Sequence, residues 1–220
     1  MRETHVCHLK GQACSIFISE GLSSDEALFA RLIPSGRVLI VSNKTVFPLH
    51  GAKLQKILSF CQVDTCILPD GESYKTMSTW SLILDRLIEA NHHRDTTILS
   101  LGGGVIGDLS GFAAATYQRG VRFIQVPTTL LAQVDASIGG KTAINHPSGK
   151  NMIGAFYQAA AVVIDPCFLK TLPAREFSAG LAEVVKHAMI ADTDFFEWLE
   201  SNAKLIMAHD ASSLFEMIQR

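Results

Sequence analysis

The sequence predicts an α/β protein: a Rossmann-like parallel sheet with helices on both faces, followed by the start of an all-helical region. Three observations predict it. Short, continuous apolar runs alternate with stretches of helical periodicity, one of these runs feeds straight into a glycine cluster, and every pattern after Pro173 is helical. Runs that are apolar throughout, rather than alternating, mark strands buried on both faces, and parallel sheets are built from such strands.

In chain order, residues 4–9 and 15–19 are placed as a hairpin at the edge of the sheet. Arg37-Val38-Leu39-Ile40-Val41-Ser42 is a buried strand, and residues 48–60 follow as a helix with Leu49, Leu54, Ile57 and Leu58 on its apolar face. Thr65-Cys66-Ile67-Leu68 is a second strand, closed by the turn residues Pro69-Asp70-Gly71. Residues 77–90 then set Trp80, Leu84, Leu87 and Ile88 at helical spacing. Strands follow at 96–101, 121–126 and 161–164, with a helical stretch over 128–137. Beyond Pro173, helices are predicted at 177–190, at 195–208 and from Ser212 onward. The last one stops at Arg220 with neither glycine nor proline to end it. The expectation is therefore an α/β domain over 1–172 and the incomplete beginning of a helical domain over 173–220.

Composition narrows the function. Hydrophobic residues make up 48% and charged residues 18%, enough apolar material for a sizeable core. Nineteen basic residues against 21 acidic ones leave a net charge of −2, which supplies no general field for nucleic acid or an anionic membrane. Any anion must be held by a few placed residues. No apolar run reaches the ~20 residues that cross a bilayer, and no signal-peptide core follows Met1. The five cysteines, odd in number and without a Cys-x-x-Cys pair, read as reduced, mostly buried residues of a cytoplasmic protein.

Gly102-Gly103-Gly104-Val105-Ile106-Gly107 fits the G-x-G-x-x-G pattern, after a strand and opening a helix. Glycines let a backbone approach a pyrophosphate, and the first N–H groups of a helix favour negative charge. A tight strand-to-helix turn explains the same letters. The acidic residue that normally follows about 20 positions on is absent, since 118–131 contains none. Gly139-Gly140-Lys141-Thr142 mimics the end of a nucleotide P-loop, but Asp135 stands where that loop needs glycine, which rules the P-loop out. Asp135, Lys141, Lys150 and Asn151 form a polar group among small residues that suits a phosphate; a solvated loop through His146-Pro147-Ser148-Gly149 is the plainer reading. Glu183, Lys186 and His187 lie at i, i+3 and i+4, on one helix face. A carboxylate and an imidazole so spaced can share a metal, or be a surface ion pair, and spacing leaves both open.

Taken in order, the residues resemble 3-dehydroquinate synthases along the whole chain. The resemblance is carried by Asp70-Gly71-Glu72-Ser73-Tyr74-Lys75, residues 102–108, and Ala113-Ala114-Ala115-Thr116-Tyr117-Gln118-Arg119-Gly120. It continues through residues 126–137, Gly139-Gly140-Lys141-Thr142, Gly149-Lys150-Asn151-Met152-Ile153-Gly154-Ala155-Phe156, residues 168–173 and residues 178–186. Ser110 and Ala159 depart from the family's usual glycine and proline, and the family's helical domain continues past position 220.

The resemblance implies a lyase that converts 3-deoxy-D-arabino-heptulosonate 7-phosphate to 3-dehydroquinate and releases phosphate, an early step of the shikimate pathway toward aromatic amino acids. NAD would take a hydride and return it, and a divalent metal, zinc or cobalt, would polarise the transient ketone. By motif, Asp70, Glu72 and Lys75 fall on the adenosine side of NAD. Gly103, Gly104, Val105 and Asp108 fall at its pyrophosphate and nicotinamide end, and Thr128, Thr129, Lys150, Phe168 and Thr171 complete that pocket. Asp135, Lys141, Asn151 and Lys186 are expected on the substrate, with Arg119 supplied by the partner of a homodimer. Glu183 is the one expected metal ligand within these residues, so this chain by itself is expected to be inactive. Alternatives are another sugar-phosphate cyclase, a glycerol-dehydrogenase-like oxidoreductase, or an NAD-binding module without turnover.

Overall fold

The computed structural model describes residues 3–9 and 12–220, with side chains from Ala13 onward. Cys7, one of the cysteines read as buried, therefore has its side chain outside the described set. Cys14 and Cys66 are buried, and Cys61 and Cys167 half-buried.

The chain opens with β1 (Glu3–Leu9) and β2 (Gln12–Ile18), an antiparallel pair. A short helix α1 (Glu26–Leu32) follows, its first turn capped by Asp25, whose carboxylate accepts the Leu28 N–H. Then come β3 (Arg37–Asn43), α2 (Phe47–Ile57), β4 (Gln62–Leu68), α3 (Met77–Glu89), β5 (Thr97–Gly102), α4 (Gly104–Thr116) and β6 (Arg122–Pro127). A hairpin of β7 (Lys141–His146) and β8 (Gly149–Phe156) interrupts the alternation before β9 (Ala161–Ile164). Three helices end the chain: α5 (Ala174–Ala191), α6 (Thr193–Met207) and α7 (Ala211–Gln219).

The main sheet runs β1-β2-β9-β6-β5-β3-β4. Every pairing from β2 to β4 is parallel, and β1 closes one edge antiparallel. The predicted hairpin is thus at the edge, but β2 is also a full parallel neighbour of β9. Alternate residues of each strand feed opposite faces. Leu39, Val41 and Ile98 join Ile83, Leu87, Ile106 and Leu109 of α3 and α4. Val38, Ile40, Leu99 and Leu101 join Leu28, Phe29, Leu54 and Leu58 of the α1–α2 layer. Each such side chain, fully buried, contributes roughly 1.5–3 kcal/mol, so the two layers hold the strand ends rigid. The helical region packs into the same core through Phe177, Val184, Phe195 and Leu199.

Candidate active site

From β3 the chain moves to one side, to β4; from β5 it moves to the other, to β6 and β9. Between β3 and β5 the loops diverge, and open parallel sheets bind their ligands at such a point, beyond the carboxyl ends of the strands. A cleft of about 710 Å³ lies there. Of the residues expected on NAD, Asp70, Glu72, Lys75, Gly103, Gly104, Val105, Asp108, Thr128, Thr129 and Thr171 all line it. Phe168 lies beneath, buried, with its ring edge-on to His50 at 4.8 Å. Lys150 is exposed on β8 and outside the lining.

The cleft floor is the glycine turn. Gly103 is the extended N-cap of α4, and no side chain caps that helix, so its first N–H groups are left to the cleft. A methyl on Gly103 would sit 3.0 Å from Thr129 Cγ2, and one on Gly104 would sit 3.1 Å from Ala136 Cβ. Thr128 Oγ1 is buried without a hydrogen-bond partner among the described residues. A backbone approachable only because side chains are missing, beside an unpaired hydroxyl, fits a bound pyrophosphate.

Asn43, Thr45 and His50, at and after the end of β3, were not singled out from sequence, although their position after a parallel strand was a usable signal. Asn43 accepts the Thr45 and Val46 N–H groups and donates to Asp70 at 2.7 Å, while Thr45 Oγ1 donates to the other Asp70 oxygen at 2.7 Å. His50 lies 2.9 Å from Thr171 Oγ1; burial first, then Lys53, lowers its pKa, partly opposed by Asp165.

A second pocket of about 380 Å³ adjoins the first, lined by Lys141, Asn151, Thr142, Met152 and Phe156, with Asp108 shared between the two. Lys75 joins them: its buried ammonium pairs with Asp108 and donates to Asn151 Oδ1 at 2.6 Å. Burial pushes the Asp108 carboxyl above its ordinary range, and Lys75 pulls it back through a hydrogen bond and its charge. Lys141 and Asn151 are carried by the hairpin β7–β8, and the solvated loop weighed as the alternative is confined to its exposed turn at 147–148. A strand, not a helix, follows Gly139-Gly140, which agrees with rejecting the P-loop.

On α5, Glu183 accepts from Lys186 and lies 3.0 Å from His187 Nε2. Ligand atoms of Asp135, Glu183 and His187 lie within 4.8 Å of one another. Asp135 reaches them from a π-helical turn, Ala132–Ala136, that replaces the regular helix expected over 128–137. Gln133 anchors this turn by donating to the carbonyls of Pro127 and Asp165. Lys186 holds the Glu183 carboxyl below its ordinary value, chiefly by their hydrogen bond, and its own ammonium is raised in return. Arg119 is exposed on a turn after α4, in left-handed backbone (φ 66°) outside the described pockets.

The family model for the N-terminal part of 3-dehydroquinate synthase matches residues 65–179, and the one for the C-terminal part matches 180–220. The chain belongs to the 3-dehydroquinate synthase family. A 3-dehydroquinate synthase of Teredinibacter turnerae is 57% identical over 205 residues, covering 93% of this chain and 57% of the relative. The chain thus spans a little over half of that relative's length. Among solved structures, 2-epi-5-epi-valiolone synthase of Streptomyces hygroscopicus, with NAD+ and Zn2+ bound, superposes with a TM-score of 0.88 at 32% identity, over 98% of this chain and 61% of the other. A 2-deoxy-scyllo-inosose synthase complexed with carbaglucose-6-phosphate, NAD+ and Co2+ matches with a TM-score of 0.77 at 26% identity, over 99% and 65%.

Proposed function

We propose that this protein works as a 3-dehydroquinate synthase, eliminating phosphate from 3-deoxy-D-arabino-heptulosonate 7-phosphate and closing the ring to 3-dehydroquinate. The observation that carries the reading is the cleft itself. Ten residues expected on NAD by motif, from four separate segments, line one cavity at the point where strand order reverses. The 57% identity to a 3-dehydroquinate synthase favours this over another sugar-phosphate cyclase, for which the structural relatives speak at 32% and 26%.

NAD, when bound, supplies a reversible hydride acceptor, and a divalent zinc or cobalt ion supplies a Lewis acid. Glu72 and Asp70 would flank the adenosine ribose, and the uncapped start of α4 would hold the pyrophosphate through Gly103, Gly104 and Val105, with Thr128, Thr129, Lys150, Phe168 and Thr171 around it. Asp108, paired with Lys75, would orient the nicotinamide end. Lys141 and Asn151 would hold the substrate phosphate in the second pocket, with Arg119 reaching it from the partner in a homodimer. Lys186, its ammonium stabilised by Glu183, would place a fixed positive charge beside the reacting oxygen, with Asp135 on a substrate hydroxyl. Glu183 fits the metal, since its carboxylate is ionised and has an imidazole and a second carboxylate within reach. We place the protein in the cytoplasm, with the NAD-binding unit over 1–172 and the helical unit from 173.

Calorimetric titration with NAD, followed by the heptulosonate phosphate in the presence of NAD and zinc, tests the reading. NAD is expected to bind and the sugar phosphate to bind only after it. Absence of NAD binding, or equal binding of glucose 6-phosphate, would overturn the assignment.

A further inference from the structure

We infer that Asn145 is a positioning residue that fastens the cofactor cleft to the second pocket, a role resting on the reading above. The ladder between β7 and β8 pairs Ile144 with Ile153 and His146 with Gly149, so β8 carries the extra residues and bulges opposite Asn145. A bulge disrupts the ladder locally and leaves polar groups beside it free for other partners, which is why bulges recur beside active sites. Three groups of Asn145 go to the site. Its N–H donates to the Lys75 carbonyl at 2.8 Å, its Nδ2 donates to Glu72 Oε1 at 2.8 Å, and its Oδ1 accepts the Asn151 N–H at 2.8 Å. Only one orientation of the amide satisfies both side-chain partners, because a carboxylate needs a donor and an N–H needs an acceptor.

The bonds close a ring. Lys75 Nζ donates to Asn151 Oδ1, the Asn151 N–H donates to Asn145, and the Asn145 N–H returns to the Lys75 backbone. Asn151 is held in left-handed backbone, φ 57°, a conformation that persists in a non-glycine residue when its surroundings enforce it. Asn145 supplies that enforcement on the N–H side and Lys75 on the side chain. A plain bulge cap would tie β7 to β8 and stop there. Here two of three bonds leave the hairpin for the turn that carries Glu72 and Lys75. Asn145 touches neither pocket in the lining of either; it acts through residues that do.

A polarity swap tests the role. Asn145→Asp sets a second carboxylate against Glu72 and is expected to weaken NAD binding about tenfold, equivalent to one large hydrogen-bond or charge penalty. Asn145→Asp combined with Glu72→Gln reverses donor and acceptor, so NAD affinity should return to that of Glu72→Gln alone. In the ligand-free protein, Asn145→Ala should also release the Asn151 N–H, read as faster amide exchange by NMR, with unchanged exchange in β5 as the control for folding. Should Asn145→Ala not fold, the swap decides alone. The inference is overturned if Asn145→Asp binds NAD like the unaltered protein, or if the double variant is no better than the two losses multiplied. If the unaltered protein does not bind NAD, the proposed function falls. The exchange measurement, or failing that a thermal-melting cycle over the same swap, still decides on Asn145.

Discussion

The cleft between β3 and β5 and the cluster on α5 are built from different materials. The cleft is made by backbone: a turn that side chains would block, an uncapped helix start, and strand ends fixed by two packed layers. The cluster is made by exposed or half-buried side chains held by one another, with Lys186 on Glu183 and Asp135 arriving from a distorted turn. Backbone sites come ready-shaped with the fold. Side-chain sites depend on what else surrounds them, and their charges are screened by water until a ligand or further structure dries them.

The largest effect should come from the buried pair that bounds the cleft. Lys75→Met leaves Asp108 without its partner, and removing one member of a buried pair costs about 3–5 kcal/mol; with Asp108 18% exposed, the low end applies. The folded-state pKa of Asp108, already raised by burial, would then rise further above its unfolded value. The folded state then holds the proton more tightly, so stability falls as pH rises through that window and recovers as pH drops. Denaturant melts of Lys75→Met at neutral and mildly acid pH should show that recovery, and its absence would mean that Asp108 is not the group left stranded.

Next is the joint between the regions. A methyl on Gly180 of α5 would lie 2.6 Å from the Leu131 backbone nitrogen, so Gly180→Ala must push the helix off the site segment. Overpacking of this kind costs about 1–3 kcal/mol, and the melting temperature should fall accordingly. A neutral result would show that α5 is free to shift, and the two regions would then be less coupled than their packing implies.

Cofactor choice should show a smaller effect. A carboxylate at Glu72 repels a 2′-phosphate, so NAD should bind about tenfold more tightly than NADP. Equal affinities in calorimetry would remove Glu72 from the ribose.

The smallest effect on the fold belongs to the α5 cluster. Glu183→Gln should leave the melting temperature unchanged and NAD affinity within about twofold, because exposed ion pairs contribute little. A measurable loss of NAD affinity would mean the two regions act as one site.

The same division governs what could be read from the letters. Strands 37–43, 97–102 and 161–164 were legible because both faces of each are buried, leaving an unbroken apolar signature. The glycine turn was legible as a turn, and the family resemblance placed its neighbours. The β7–β8 hairpin was not, because β8 is mostly exposed and its composition is that of a loop. Its place comes from tertiary contact: α4 packs on it at Gly111, where a methyl would meet Thr142 Cγ2 at 2.3 Å. Helix α1, seven residues long, was missed for a similar reason, since its stability lies in Leu28 and Phe29 meeting the sheet. Asn145 and Asn43 matter through partners far along the chain, and no local pattern announces that.

The π-helical turn at Ala132–Ala136 sets a limit on how this segment can tolerate length variation. A wide turn accommodates one more residue than the regular helix over the same rise. A one-residue change in an ordinary helix turns everything beyond it by about 100° about the axis, whereas the wide turn absorbs the extra residue and leaves the chain beyond it in place. Deleting one residue would draw Ala132–Ala136 into ordinary helical geometry, so Asp135 would lose the wide turn from which it reaches Glu183 and His187 while Gln133 stayed anchored on Pro127 and Asp165. A single-codon deletion here is therefore a local change at Asp135, where in a regular helix it would turn the whole downstream face.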